Sequence, residues 1–230
     1  MLRPLFCVLT FLLLSTLISF SQQTEITQFS VIGGFSYLAT PSLNLAQRGF
    51  NGDIAQNVRP WLSVGFDFSD FTGHSTLLPS YLNTSTQMKL AHLLPPGVPP
   101  SVVAVPFNSS TSTYQVGPQF NYRRLKHATF FVRPALGLLH AKADTTPNPF
   151  IAPLVGALLG SGKLSTTDNT VFYGFGGGAT WEINPHFGLR VTADMARFDY
   201  FSNLLNGSRN AVRLTLAPKF GFGKNIATGY

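Results

Sequence analysis

From residue 29 onward, apolar and small polar side chains alternate in short runs. A period of two predicts strands rather than helices. Phe29, Val31, Phe35 and Tyr37 share one parity, with Ser30, Gly34 and Ser36 between them. Leu62, Val64, Phe66 and Phe68 alternate with Ser63, Gly65, Asp67 and Ser69. Tyr114, Val116, Pro118, Phe120 and Tyr122 alternate with Gln115, Gly117, Gln119, Asn121 and Arg123. The same rhythm sets Phe130, Val132, Leu136 and Leu138 against Arg133, Ala135 and Gly137. It sets Phe187, Leu189, Val191 and Met195 against Arg190, Thr192 and Asp194, and Val212, Leu214, Leu216, Phe220 and Phe222 against Arg213, Thr215 and Lys219. Residues 170–183, TVFYGFGGGATWEI, make a further strand with Tyr173, Phe175 and Trp181 on one parity and glycines, Thr180 and Glu182 on the other. A weaker run, Phe50, Ile54 and Val58 against Asn51, Asp53, Ala55 and Asn57, supplies the eighth.

The connections fall into two classes. Short turns are expected at Arg59-Pro60, Leu125 to Thr129 and Asn184-Pro185; longer connections at 39–48, 72–111, 144–169 and 202–208. They alternate along the chain, so an up-and-down arrangement collects the short turns at one end and the long loops at the other. That asymmetry, with eight strands, predicts an all-β, eight-stranded antiparallel up-and-down transmembrane β-barrel. Strands of about ten to thirteen residues at ~3.3 Å each, tilted by about 40°, cross roughly 25–30 Å of hydrocarbon.

Alternation does not itself say which parity faces inward. A soluble lipocalin-type barrel has eight alternating strands with apolar residues inside. Two features favour the opposite sense here. The polar parity is Gly, Ser, Thr and Ala with a few charges, which suits a crowded interior and not a water-facing wall. The apolar parity places large aromatics near strand ends: Tyr122, Phe130, Trp181, Phe187 and Phe222 toward the turns, and Tyr37, Phe71, Tyr114 and Tyr173 toward the loops. Two aromatic rings of this kind are the interfacial girdles of a membrane barrel.

Two nucleotide-binding patterns dissolve on this reading. Gly174, Gly176 and Ala179 imitate a dinucleotide fingerprint, but that motif must open a helix. Here Asn184-Pro185 closes a turn and period two resumes. Gly156-Ala-Leu-Leu-Gly-Ser-Gly-Lys163 imitates a phosphate loop, yet Leu164 stands where Ser or Thr is needed.

Composition agrees with a lipid-facing exterior. Charged residues are only 11% of the 230, while hydrophobics are 44% and Phe alone contributes 21; a soluble domain carries about 25% charge. The net charge of +7 comes from scattered basic residues, which argues against nucleic acid as a partner. Arg3 is the only charge in the first 24 residues and Leu5 to Phe20 is nearly all apolar. We read 1–21 as a secretory signal peptide cut before Gln22, with residues 22–230 as the barrel domain. The competing use, a membrane anchor, wants roughly 20 apolar residues where this run has about 16. Removing the leader removes Cys7, the sole cysteine.

The inward parity holds the acids Asp53, Asp67, Glu182 and Asp194 and the bases Arg123, Arg133, Arg190, Arg213 and Lys219. An eight-stranded lumen is filled by side chains, and an unpaired buried charge is very costly. These nine are expected to form an ion network that plugs the core; a conducting or ligand-lining lumen is the competing use. No catalytic, metal or cofactor constellation is found. His74, His92, His127, His140 and His186 include no His-x-Ser pair, no His-x-His and no H-E-x-x-H. The two large loops are unusually apolar, with a Pro-rich run at Leu90 to Pro100 and a candidate short helix at Phe150 to Leu159. They serve either to cap the barrel or to present an apolar surface patch.

With GGFSYL at 33–38, VGPQFNYRR at 116–124, FGGGATW at 175–181 and RLTLAPKFGF at 213–222, the chain resembles the small outer-membrane β-barrels of Gram-negative bacteria, of the kind in the OmpA transmembrane domain. The resemblance implies residence in the cell outer membrane among lipids and lipopolysaccharide; a monomer is expected, though the sequence does not itself reveal an oligomeric state. The resemblance also implies recognition of the last strand by the barrel-assembly machinery, through Phe220 and Phe222. Tyr230 makes the terminal aromatic ambiguous, and the peptidoglycan-binding domain of full-length OmpA is lacking. The implied role is structural or surface recognition; a narrow channel for small or apolar molecules and a lipid-modifying enzyme are the alternatives.

Overall fold

A computed structural model describes residues 23–97, 103–159 and 162–227. The expected leader over 1–21 and the last residue, Tyr230, lie outside this range. Eight strands follow one another: β1 (Thr27–Thr40), β2 (Leu45–Arg59), β3 (Leu62–Leu77), β4 (Val105–Tyr122), β5 (Ala128–Thr145), β6 (Ser165–Asn184), β7 (Phe187–Phe198) and β8 (Arg209–Asn225). Each pairs antiparallel with the next, and β8 pairs with β1, closing a barrel with no free edge around its girth. Two short helices, α1 (Thr84–Leu93) and α2 (Ala152–Leu158), lie in outer connections. α1 starts at Asn83, whose side chain accepts the Thr86 amide at 2.8 Å, the expected chemistry for a helix N-cap.

Three tight turns (60–61, 123–127 and 185–186) share one end with the chain's entry into β1. Asn184 shapes the last of them, its Oδ1 accepting the amides of His186 and Phe187 at 2.9 and 2.8 Å. The connections 41–44, 78–104, 146–164 and 199–208 share the other end. Three of the four are shorter than the sequence suggested, because alternation was followed only while outward residues stayed apolar; the last, expected at 202–208, is longer. The strands run on past that level with polar outward faces. The first connection shrinks most in proportion, to four residues turning through Asn44 at φ 48°. Leu38 and Leu45 sit on the inward side of paired strands.

The outer wall carries a continuous apolar band that includes Phe35, Ile54, Val116, Leu136, Phe175, Val191, Leu216 and Phe220, with roughly half of each residue's surface exposed. Such a wall is stable against hydrocarbon and not against water. Its outer limit is sharp. Above it, outward positions around the barrel are Arg48, Asp70, Ser112, His140, Asn169, Arg197 and Asn210; Asp70, Ser112, His140 and Asn169 stand in register with one another, as do Arg197 and Asn210. Several bond to one another: Ser112 Oγ donates to Asp70 at 3.2 Å, and His140 Nδ1 lies 2.6 Å from Asn169 Oδ1. Arg197, on the same parity as Val191 and Met195, is an outward member of this ring.

Eight of the nine expected girdle aromatics face outward: Tyr37, Tyr114, Tyr122, Phe130, Tyr173, Trp181, Phe187 and Phe222. Phe71 does not. It shares parity with Asp67 and Ser69, points into the barrel and is 1% exposed. Its aromatic character suggested an interface, but position in the strand overrides residue type. Trp61, stacked on Phe120 at 6.3 Å between centroids, is a girdle aromatic that alternation missed because it sits in a turn.

The band makes a depth-dependent prediction. Leu216→Arg, at mid-wall between Phe35 and Val191, should cost about 2–4 kcal/mol. Thr76→Arg, above the polar ring, should cost little. Urea titration of protein folded into lipid vesicles measures both.

Candidate functional site

The interior has two storeys. The one nearer the turns is ionic. Arg133 projects from β5 and reaches three carboxylates: Asp53 on β2 at 3.0 Å, Asp67 on β3 at 3.3 Å and Asp194 on β7 at 2.8 Å. Arg213 on β8 meets Asp67 and Asp194, each at 2.7 Å. Two guanidiniums and three carboxylates from five strands therefore form one cluster, with Ser69 Oγ accepting from Arg213 at 2.6 Å. A second pair lies nearer the turns, where Lys219 Nζ donates to both oxygens of Glu182 at 2.7 and 2.8 Å.

Arg190 and Arg123 are held differently. Arg190 lies over the Phe131 ring, 3.7 Å from its centroid, and donates to Gln119 Oε1. From Gln119 a ladder of neutral groups runs toward the turns. Gln119 Nε2 donates to Asn121 at 2.6 Å, Asn121 to Ser63 Oγ at 2.7 Å, and Ser63 to Asn57 Oδ1 at 2.6 Å. Asn57 Oδ1 also accepts from Arg123 Nη2 at 2.7 Å. The structure thus brings all nine charged residues named from the sequence into the lumen or its mouth. Arg123 sits just past the end of β4, in the mouth.

Gly176 and Gly178 explain the glycine run in β6. A Cβ on Gly176 would overlap the Asp194 carboxylate, and one on Gly178 would strike the Val191 carbonyl and the Phe131 ring. These glycines make the room that the network and the stacked Arg190–Phe131 pair occupy.

The storey nearer the loops is carbon. Leu38, Phe71, Leu139, Phe172, Phe198 and Ala211 face one another inside the wall. Leu82, Leu90, Val155, Tyr200, Phe201 and Leu205 descend on them from the loops. Between ionic floor and apolar roof is a gap of about 30 Å³, room for only a water or two. The loops are pinned to each other by backbone bonds, Asn83 N to Leu204 O at 2.9 Å and Asn206 N to Tyr81 O at 3.0 Å. Asp168 accepts the Phe201 amide. Burial in this cap pushes the Tyr200 phenol well above its ordinary range. Among the described residues of the apolar loops, Leu82, Leu90 and Val155 pack as a cap, while Val98 to Pro100 of the Pro-rich run lie outside the described residues. Among the described residues, no group of three or more His, Cys, Asp or Glu is placed to hold a metal ion.

No protein-family model and no curated protein sequence matches the chain. Solved structures do. The barrel is similar to Neisserial surface protein A, with a TM-score of 0.51 and 11% identity over 85% of this chain and 98% of that one. The fold is that of the small outer-membrane β-barrels. The chain is also similar to Ail, the attachment invasion locus protein of Yersinia pestis, solved in complex with the heparin analogue sucrose octasulfate (TM-score 0.49, 15% identity, 86% of this chain and 99% of that one). A third is the outer membrane protein OprG from Pseudomonas aeruginosa (TM-score 0.47, 8% identity, 88% and 99%).

Within this outer-membrane barrel fold, sequence reasoning named the charges and missed their neutral partners. Gln119, Asn121, Asn57 and Ser63 were legible only as inward parity, and nothing marked them as a ladder. Phe131 was overlooked because an inward aromatic contradicts a simple apolar-out pattern.

The cluster predicts unequal costs for its carboxylates. Asp194 serves two guanidiniums and Asp53 one, with Asp53 Oδ1 making no hydrogen bond to protein. Asp194→Asn should cost about 3–5 kcal/mol, the usual loss for breaking a buried pair, and Asp53→Asn clearly less. Urea midpoints of the two variants in one detergent decide the order.

Proposed function

We propose that this chain is a non-conducting protein of the outer membrane, anchored by its barrel and acting in surface recognition through its loop cap. The observation that carries this is the double closure of the lumen. A pore needs a continuous wet path, whereas here a five-residue ionic cluster spans the bore and an apolar roof lies above it. No step of catalysis enters this reading. The 22–230 region forms the barrel domain once the leader is removed.

The polar ring sets the depth of the barrel. Arg48, His140 and Arg197 stand at the upper edge of the apolar band, where the phosphates and sugars of lipopolysaccharide lie. At the other end, β8 presents Leu214, Leu216, Phe220 and Phe222 outward in strict alternation, the form of last strand that the assembly machinery reads. The barrel closes on itself and acts as a monomer.

Planar-bilayer recording on purified, heat-modifiable protein tests the proposal. A silent bilayer is expected. Discrete conductance steps would overturn the plugged reading in favour of a narrow channel. In the same assay, Asp194→Ala together with Phe71→Ala should begin to conduct, since it thins both closures.

A further inference from the structure

The lumen-facing charges do not balance along its length. Asp53, Asp67 and Asp194 stand with Arg133, Arg190 and Arg213, the last guanidinium of these, Arg190, interacting electrostatically with Asp53. Glu182 stands with Lys219, which occupies both its oxygens, while Thr129 also donates to one of them at 3.3 Å. Arg123 is left over. Its hydrogen bond is to a neutral amide oxygen on Asn57, and its Nε is buried with no hydrogen-bond partner. Its electrostatic partner is Glu182, whose two oxygens Lys219 already occupies, so a desolvated guanidinium without a salt bridge of its own calls for a further counter-charge.

The space for one is adjacent. A recess of about 510 Å³ opens at the turn end of the barrel, lined by Arg123, Lys126, His127 and Lys219 with Glu25 and Glu182. The segment before β1 forms part of its rim, held there by Gln23 Nε2 donating to Thr129 Oγ1 at 3.0 Å. Lys126 is exposed on the 123–127 turn beside Arg123. We infer that this recess is an oxyanion site, in which a single phosphate or carboxylate group is held between Arg123 and Lys126. Arginine and lysine together supply the fork and the point charge that bind such groups. Glu25 and Glu182 repel a polyanion, which limits the site to one such group. The anion has two sources, a solute or the headgroup of a lipid in the adjacent leaflet. The inference goes beyond the plugged-barrel reading and shares with it only the barrel fold.

The test is a titration of the full barrel in neutral micelles with inorganic phosphate at constant ionic strength, following the Arg123 Nε–Hε resonance. The expected result is a saturable displacement that Lys142→Gln, a remote exposed lysine, leaves unchanged. Arg123→Gln should weaken phosphate binding, read by calorimetry, roughly tenfold or more. A displacement that is linear, or reproduced by chloride, overturns the inference, as does an Arg123→Gln protein that binds like the parent. If Arg123→Gln loses heat-modifiable migration, Lys126→Gln carries the test: several-fold weaker binding supports the site and unchanged binding overturns it. Response to phosphate in phosphatidylcholine nanodiscs assigns the anion to solution. A resonance already displaced in phosphatidylglycerol nanodiscs and deaf to added phosphate assigns it to the lipid. The barrel is reported separately by heat-modifiable migration and its closure by conductance, so failure here is distinguishable from failure of either.

Discussion

Asp67 and Asp194 each hold two guanidinium groups, and the inside of this barrel is arranged around that sharing. Charges taken from water are costly unless their partners are already in place. In an eight-stranded barrel those partners come from opposite walls, so the cluster forms only when β2, β3, β5, β7 and β8 have closed into a ring. Closure and neutralisation are therefore one event. The backbone ladder supplies most of the directional bonding, but the cluster tells the five strands how they must be staggered. A slip of one residue anywhere would turn a carboxylate into lipid.

The same constraint explains the change of character along the axis. Near the turns, where the bore is lined by Ser, Asn and Gln, charge can be solvated by fixed dipoles. The ladder from Arg190 to Arg123 does this, with amides standing in for water. Toward the loops the bore meets the cap. There the loops bring leucine, valine and aromatic side chains and bury them against Phe71, Phe172 and Phe198. The barrel is a polar core in a lipid coat at one end and an ordinary hydrophobic core in water at the other.

How much of this could be read from the chain depends on what alternation can carry. It gave eight strands, their order and their inward charges, because one face met lipid and the contrast between faces was large. Phe71 shows where it fails. Near the loops both faces become uncertain, since the inside turns apolar and the outside polar, and the contrast that marked the strands inverts. For the same reason, the ends of β1, β3, β4, β5 and β6 lay beyond where the sequence placed them. Phe131 and the amide ladder were hidden for another reason: their role rests on neighbours on other strands, and no local spacing records that.

The cap's construction separates what is held from what is shown. Its inward side chains are locked into a roof continuous with the bore, while Met88 on α1 and Phe150 just ahead of α2 look away from the molecule, the latter 87% exposed. Evolution can repaint that outer skin freely. Substitutions at these outward positions change the displayed chemistry without disturbing the scaffold beneath it.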